Sequence, residues 1–476
     1  MSEISKGLAN GLTNYGDPEF AKYLRRSFAK SMGYTNESLD KLIVGICYTE
    51  SSFNNCHRHF PEMLEAVKRG MLVSGALPMP FPMISLGEVF LSPTSMVYRN
   101  LMAMAVEEMI RAQPMDAVVL MGGCDKTVPA LLMGAVSAGK PAVMLVAGPM
   151  MTGRYKGERL GACTDCRRFW AQYRAGSVSQ KEIDQIEGNL AVTSGTCAVM
   201  GTASSMAVIA ETLGVMLQNT ASIPAVHSDR LRASEETGTV AAKMAIQGGP
   251  KLDQLITKES MENALRVLLS VSGSTNAIIH LTAIAGRAGV EVDLKRFNEL
   301  SDETPVLVDL KPVGTGYMED FHSAGGLDGV LGALASQLNL QTLDVTGQSL
   351  EHRLQETSSE QIDQSVIRTL QDPVDSQGGL IALHGTLAPG GAILKRAAAT
   401  PALLEHEGRA VVFSSLEDLA ARIDSPDLDV EAEDILVLQN AGPRSPSGMP
   451  EAGYMSLIHI SEPTRQAEIS YGLICV

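Results

Sequence analysis

The stretch that decides the fold is Asp116–Gly139, which reads DAVVLMGGCDKTVPALLMGAVSAG. Its opening run, Asp116–Met121, is apolar but far shorter than the roughly 18 residues that a membrane helix needs, and it suits a buried parallel strand. Two glycines then make a turn, and the Ala- and Met-rich stretch Val128–Gly139 is typical of a helix. Strand, polar turn and helix in this order predict one half of a βαβ unit.

The same alternation extends outward from this segment. Between about residues 40 and 250, short apolar runs such as Pro141–Ala147 alternate with longer helical stretches such as Ser95–Gln113. We therefore predict an α/β fold with an N-terminal α/β/α parallel-sheet domain over residues 1–371.

The pattern of apolar and turn-forming residues changes after the polar, acidic stretch Gln355–Gln377. Short β-like runs follow, separated by Gly, Pro and Asp: Leu380–Leu383, Ala410–Phe413 and Ile435–Leu438. A domain boundary near Asp372 and a partial β-rich domain over residues 372–455 are predicted.

The last 21 residues, 456–476, are interpreted separately. Ser456–Arg465 (SLIHISEPTR) back-translates without mismatch to a transposase-type sequencing adapter, and Glu468–Tyr471 resembles its continuation. We expect this tail to be an artefact and the natural sequence to depart from it after Met455. An ordinary amphipathic C-terminal helix is the alternative.

The net charge of the 476-residue chain is −16, which repels phosphate backbones and anionic lipids. We therefore expect no nucleic-acid or membrane partner, and a small-molecule substrate instead. The N-terminus carries no basic region followed by an apolar one, so a cytoplasmic location is expected, where cysteines are metal ligands, reactive thiols or buried apolar residues rather than disulfides.

Three cysteines lie in small, polar, turn-forming contexts beside predicted strands: Cys56 in NNCHRH, Cys124 in GGCDKT and Cys197 in SGTC. Loops at the carboxyl ends of parallel strands converge, so three thiolates could hold an iron–sulfur cluster or a zinc ion with one position open to substrate. Spacing alone favours the other interpretation, three buried apolar cysteines, because distant cysteines have no local signature.

Cys124 is followed directly by Asp125, whose carboxylate is a hard oxygen ligand. Asp125 could bind an oxygen-preferring ion such as Mg²⁺, with Glu88 and Glu451 as carboxylates from other loops. Taken singly, each acid is more often a helix cap or a solvated charge.

Several long motifs, in order, carry a resemblance to a known family: GGCDKTVPALLMGA (122–135), AVMLVAGPMMTG (142–153), SGTCAVMGTASSMA (194–207), SGSTNAIIHLTAIAGRAGV (272–290) and SGMPEAGYM (447–455). The chain resembles the dihydroxy-acid dehydratase/phosphogluconate dehydratase family (the IlvD/Edd dehydratases), which includes sugar-acid dehydratases. The resemblance implies a β-barrel-like C-terminal domain, incomplete here, a site between the two domains, and a homodimer or homotetramer.

The resemblance also implies the site. Cys56, Cys124 and Cys197 would ligate an iron–sulfur cluster, with [2Fe–2S] favoured and [4Fe–4S] possible. Glu88, Asp125, a carbamylated Lys126 and Glu451 would bind Mg²⁺. The family's catalytic base is a serine on a loop after the Pro-Glu motif; no such loop follows Met455, so the chain as written is expected to be inactive or nearly so.

The implied reaction is the dehydration of a 2,3-dihydroxy acid to a 2-oxo-3-deoxy acid. Gly87-Glu88, Ser92–Thr94 and Arg99–Leu101 resemble sugar-acid (aldonate) dehydratases acting on L-arabinonate, D-xylonate or D-galactonate. The alternatives are dihydroxy-acid dehydratase of branched-chain amino-acid biosynthesis and an inactive protein that retains only the fold.

Two further features stay open at this stage. His57 and His59 could hydrogen-bond the cluster sulfurs or face solvent. Cys163 and Cys166 form a CxxC pair that would suit a zinc or thiol-redox protein, but no second pair completes a zinc site, and a structural role is expected.

Overall fold

A four-stranded parallel sheet organises the first part of the protein. The computed structural model describes residues 6–11, 16–162, 164–356, 362–423, 425–431, 433–442 and 444–449. The sheet has the order β2-β1-β3-β4, and every neighbouring pair is parallel. Its strands are β1 (Ile43–Tyr48), β2 (Leu77–Pro82), β3 (Ala117–Gly122) and β4 (Ala142–Val146). The predicted parallel sheet is confirmed.

All six residues of β3 are buried. Because successive side chains of a strand point to opposite faces, helices must cover both faces of the sheet, which explains why the strand is apolar throughout rather than alternating.

The helices, numbered in chain order, are α1 (Pro18–Ser31), α2 (Asn36–Leu39), α3 (Phe60–Val73), α4 (Arg99–Ala112), α5 (Thr127–Ala138), α6 (Asp165–Arg174), α7 (Gln180–Leu190), α8 (Thr202–Thr212), α9 (Ser228–Gln247), α10 (Leu252–Leu255), α11 (Lys258–Ser270), α12 (Asn276–Ala288), α13 (Leu294–Glu303), α14 (Met318–Ser323), α15 (Gly326–Leu334), α16 (Leu350–Glu356) and α17 (Leu416–Arg422). No helix in the described part of the chain is long and apolar enough to cross a membrane.

Glycines allow the closest helix pairs. A Cβ on Gly70 of α3 would lie 1.9 Å from the Glu235 carbonyl oxygen of α9, and one on Gly134 of α5 would lie 2.6 Å from the Ala103 carbonyl oxygen of α4. Any side chain at these two positions would force the helices apart. The small-residue composition is therefore a packing requirement.

The remaining strands form three small sheets. β5 (Gly153–Tyr155) pairs antiparallel with β6 (Glu158–Leu160), β7 (Ile381–Leu383) pairs antiparallel with β8 (Ala392–Leu394), and β9 (Ala410–Phe413) pairs parallel with β10 (Ile435–Leu438). The three β-like runs predicted after Asp372 are thus strands. The boundary at residue 372 and closure of these strands into a barrel stay predictions.

Candidate functional site

The loops that carry the three cysteines touch one another. His57, in a short 3-10 turn with Cys56, accepts hydrogen bonds through Nε2 from the backbone amides of Gly123 (2.9 Å) and Cys124 (3.0 Å). The amide of Gly195 donates to the Asn55 carbonyl oxygen over 3.3 Å. The loop of Cys56 is therefore bonded both to the loop of Cys124 and to the loop that leads to Cys197.

The loop after β4 completes this arrangement. Thr196, the neighbour of Cys197, donates its amide to the Gly148 carbonyl oxygen (2.9 Å) and accepts from the amide of Met150 (2.8 Å). A Cβ on Gly123 would lie 2.3 Å from the Cβ of Ala147, so only glycine lets the Cys124 loop reach the same segment. The loops that carry the three cysteines thus converge, as predicted for loops at the carboxyl ends of parallel strands.

The thiols themselves differ in exposure. Cys124 is buried, whereas Cys56 and Cys197 are partly exposed. In the described residues, no group of three His, Cys, Asp or Glu side chains is close enough to hold a metal ion. The structure thus brings the three loops together without placing the thiols in a ligand arrangement, and the cluster stays a prediction. Soft thiol donors on adjoining loops nevertheless suit an iron–sulfur group.

A second cluster, which we call the carboxylate cluster, consists of Glu88, Asp125 and Lys126. Lys126 Nζ lies 3.2 Å from Glu88 Oε2 and 3.5 Å from Asp125 Oδ2. Its side chain is 3% exposed, against 16% and 21% for the two acids. Two carboxylates around one buried amine form the oxygen-rich donor set that suits Mg²⁺.

Glu88 is held by the residues that follow it. Thr94 Oγ1 donates to Oε1 over 2.5 Å, and Ser95 donates both its amide and its hydroxyl. Burial alone would raise the pKa of Glu88, but Lys126 and these hydroxyl donors outweigh it, and the pKa is lowered. The carboxylate is therefore ionised and fixed in orientation.

Lys126 departs from a simple expectation. Burial disfavours its ammonium form, and burial beside a bound metal would favour loss of the proton that precedes reaction with CO₂. Asp125, Glu88 and the nearby thiol of Cys124 outweigh burial, and the pKa of Lys126 is raised. Without a metal, the side chain is an ammonium that neutralises the two carboxylates.

Both ring nitrogens of His57 are occupied by protein groups, whereas Nδ1 of His59 has no partner among the described residues, so a hydrogen bond from His59 to a cluster sulfur stays a prediction. His57 is fully buried and donates through Nδ1 to the Thr49 carbonyl oxygen (2.7 Å), so it contacts backbone rather than solvent. Burial lowers its pKa to about 3, and the ring is neutral. His59 Nε2 lies 2.8 Å from the Ala147 carbonyl oxygen, and burial lowers its pKa to about 4. Both rings position the loops around the cysteines.

The remaining predicted residues lie apart or outside the described residues. Glu451 and any catalytic serine beyond Met455 fall outside, as does Cys163. The segment before Glu451 does reach the site: a Cβ on Gly448 would lie 3.0 Å from the Cγ2 of Thr94. Cys166 lies on α6, where its neighbour Asp165 forms a separate buried network with Tyr317 and Lys311.

Sequence reasoning missed the roles of Thr94 and Ser95 as donors to Glu88. The available signal was local: both hydroxyls follow a Pro in the motif that also contains Glu88. It also missed a polar pair, Arg99 and His280, whose contact joins segments far apart in sequence.

Comparisons with known proteins identify the family of the chain. Family models described as dihydroxy-acid/6-phosphogluconate dehydratase N-terminal and C-terminal match residues 41–353 and 365–470. The chain is 42% identical to L-arabonate dehydratase of Azospirillum brasilense over 447 residues, covering 93% of this chain and 76% of that protein. It is 39% identical to 6-deoxy-6-sulfo-D-gluconate dehydratase of Pseudomonas putida over 451 residues (92% and 77%).

A dihydroxy-acid dehydratase of Clostridium botulinum (strain Eklund 17B / Type B) is 34% identical over 438 residues, covering 90% of this chain and 78% of that protein. The matches span both the converging cysteine loops and the carboxylate cluster. The chain belongs to the dihydroxy-acid/6-phosphogluconate dehydratase family and is a dehydratase, a hydro-lyase.

Proposed function

We propose that the protein dehydrates a sugar acid, an aldonate such as L-arabinonate, D-xylonate or D-galactonate, to the 2-oxo-3-deoxy acid. The observation that carries the proposal is the adjacency of Cys124, Asp125 and Lys126, which brings soft and hard donors to one loop with Glu88 beside them. A substrate with neighbouring hydroxyls and a carboxylate can be bound across such a loop.

The reaction removes the C2 proton and the C3 hydroxyl as water, and the resulting enol tautomerises to the 2-oxo acid. We assign Cys56, Cys124 and Cys197 to an iron–sulfur cluster, and Glu88, Asp125, carbamylated Lys126 and Glu451 to Mg²⁺. Such groups supply Lewis acidity when bound, at the departing C3 hydroxyl and at the substrate carboxylate and C2 oxygen.

The protein's own residues prepare these positions. His57 fixes the backbone of Gly123 and Cys124, so the thiol of Cys124 has a set direction relative to Asp125. Thr94 and Ser95 hold Glu88 in the orientation that faces Lys126. Such fixed geometry lowers the entropy cost of aligning substrate with the reacting groups.

In this proposal, the side chain of Lys126 changes from an ammonium cation to an anionic carbamate. Its ammonium loses one proton to water, the amine adds to CO₂ with formation of an N–C bond, and the second proton leaves as the carbamate forms. A cation is thereby replaced by an anionic oxygen donor. Because Asp125 and Glu88 raise the pKa of Lys126, we expect this step to depend on a divalent cation that neutralises them.

The names of the relatives favour a sugar acid. Two proteins at 42% and 39% identity are named for sugar acids, whereas the dihydroxy-acid dehydratase stands at 34%. Dihydroxy-acid dehydratase of branched-chain amino-acid biosynthesis is the second candidate, and the family relationship alone supports it.

Substrate preference tests the proposal. Release of 2-oxo acid is measured with L-arabinonate, D-xylonate, D-galactonate and 2,3-dihydroxyisovalerate, and kcat/KM is compared. A pocket that pairs extra hydroxyls should disfavour the alkyl acid by about 1–3 kcal/mol for each unsatisfied group. A higher kcat/KM for 2,3-dihydroxyisovalerate would assign the protein to the second candidate.

A further inference from the structure

The partly exposed Arg99 and the buried His280 form a polar pair that the proposed reaction does not use. Arg99 Nη1 lies 2.8 Å from His280 Nδ1. His280 is fully buried, and Arg99 is the first residue of α4, only four residues after Ser95, which binds Glu88. The pair therefore joins the segment that holds Glu88 to α12.

The contact fixes the protonation of His280. A guanidinium has only donors, so Nδ1 must accept, and the ring proton then lies on Nε2. That Nε2–H is buried without an acceptor in the described part of the chain. An unsatisfied buried donor costs about 1–3 kcal/mol, so this one is expected to serve a group that supplies an acceptor.

The helix arrangement places His280 near the carboxylate cluster. Arg287, close to the end of α12, donates to Ser137 Oγ, close to the end of α5, over 2.8 Å. The packed helices α12 and α5 thus have their C-terminal ends together. His280, in the first half of α12, contacts Arg99. Arg99 follows Ser95, whose amide binds the same Glu88 carboxylate that Lys126 contacts. Lys126 is the N-cap of α5.

The local charges indicate which acceptor is needed. After burial, the positive charges of Arg99 and Lys126 are what lower the pKa of His280 well below its usual range, so both cations act on the ring. The Lys126 ammonium faces Glu88 and Asp125, whereas Arg99 Nε and His280 Nε2 are buried without a partner in the described part of the chain. A carbamate on Lys126 replaces one of these cations with an anionic oxygen.

We propose that Arg99 and His280 are positioning residues for Lys126: Arg99 fixes the Nε2–H tautomer of His280, and this N–H donates to the carbamate oxygen on Lys126. The inference rests on the carbamate of the proposed function and extends it to two residues that touch neither substrate nor metal. Metal ligands elsewhere depend on such hydrogen-bonding neighbours, whose loss costs about 10–100-fold in metal affinity.

The test measures Mg²⁺ affinity by calorimetry and the carbamate by ¹³C NMR in ¹³C-bicarbonate, using the full chain. His280→Phe removes the donor at similar volume and should weaken Mg²⁺ binding about 10–100-fold and diminish the carbamate signal. His280→Gln restores an N–H donor and should recover most of both. His322→Phe, the same substitution at a partly buried histidine bonded to Ser222, is the matched control and should change neither.

Arg99→Met provides an independent variant if His280→Phe fails to fold, because Arg99 is partly exposed; it should weaken Mg²⁺ binding in the same direction. Unchanged Mg²⁺ affinity and carbamate signal in a folded His280→Phe or Arg99→Met protein would overturn the inference. A raised KM with both readouts unchanged would also overturn it and assign the donor to substrate.

Measurements on the unmodified chain distinguish failure of the positioning role from failure of the proposed function on which it rests. A carbamate on Lys126 is identified by a signal that is present in the unmodified chain and absent from Lys126→Ala. If the unmodified chain shows neither this signal nor Mg²⁺ binding, the proposed Mg²⁺ site is wrong, and the positioning role is wrong with it. If the unmodified chain shows both, and His280→Phe retains the same Mg²⁺ affinity and carbamate signal, the proposed site stands and the positioning role alone is wrong.

Discussion

The two halves of the loop Gly122–Thr127 are held by different forces. Cys124 lies in backbone whose amides are bonded to a neutral, buried His57, so the thiol half is fixed by uncharged hydrogen bonds. Asp125 and Lys126 are held by charge, with the ammonium between two carboxylates. The thiol half is therefore ordered by hydrogen bonds that need no metal. In the charged half, the Lys126 ammonium occupies the place between two carboxylates where a metal ion is proposed.

The largest effect is expected at the thiol half. Cys124→Ser should abolish the visible spectrum of an iron–sulfur cluster, because a hydroxyl is a poor replacement for a thiolate ligand of iron. Cys56→Ser and Cys197→Ser should do the same, and iron with labile sulfide is the second measurement. Cys166→Ala, on α6, is the control and should keep the spectrum; its loss there would overturn the ligand assignment.

Lys126→Ala tests the charged half. We expect Mg²⁺ binding to weaken in calorimetry while the cluster spectrum remains, because the variant loses the oxygen donor of the proposed carbamate. Lys140→Ala, just beyond the end of α5, is the matched control. Full Mg²⁺ affinity in Lys126→Ala would refute the carbamate ligand.

His57→Leu tests whether uncharged hydrogen bonds order the thiol half. Two buried amides, those of Gly123 and Cys124, lose their acceptor, and the free energy of unfolding should fall by about 2–4 kcal/mol. Denaturant titration measures this loss. His352→Leu, at a half-exposed position, should change stability by less than about 0.5 kcal/mol. Equal losses in both variants would contradict the bridging role.

The smallest effect concerns the orientation of Glu88. Thr94→Val keeps the side-chain shape but removes one hydroxyl donor to the carboxylate, and Mg²⁺ affinity should fall by about 3–10-fold, or roughly 1 kcal/mol. Ser95→Ala, which leaves the backbone amide bond intact, should have a comparable effect. No change in either variant would mean that the charge of Lys126 and the Ser95 amide hold Glu88 without the two hydroxyls.

Much of the fold could be predicted because its signals are local. The apolar runs around Val119, Val143 and Val411 became strands, and the glycine turn after Met121 was recognised as the start of the site. The role of His57 could not be predicted, since its partners on the Gly122–Thr127 loop are set by the strand order. The direction of the pKa shift at Lys126 could not be predicted, because burial lowers the pKa while Glu88 and Asp125, at distances that only the structure gives, raise it.

The sequence by itself determined the parallel sheet, the motifs of the family and the choice of donor residues, because hydrophobic periodicity and short motifs are encoded over a few neighbouring residues. Only the tertiary structure decided which loops meet, that His57 is a buried backbone bridge, and that Arg99 pairs with His280. These contacts join residues far apart in the chain, and both the energy of a buried hydrogen bond and the protonation of a buried group depend on what packing places around them.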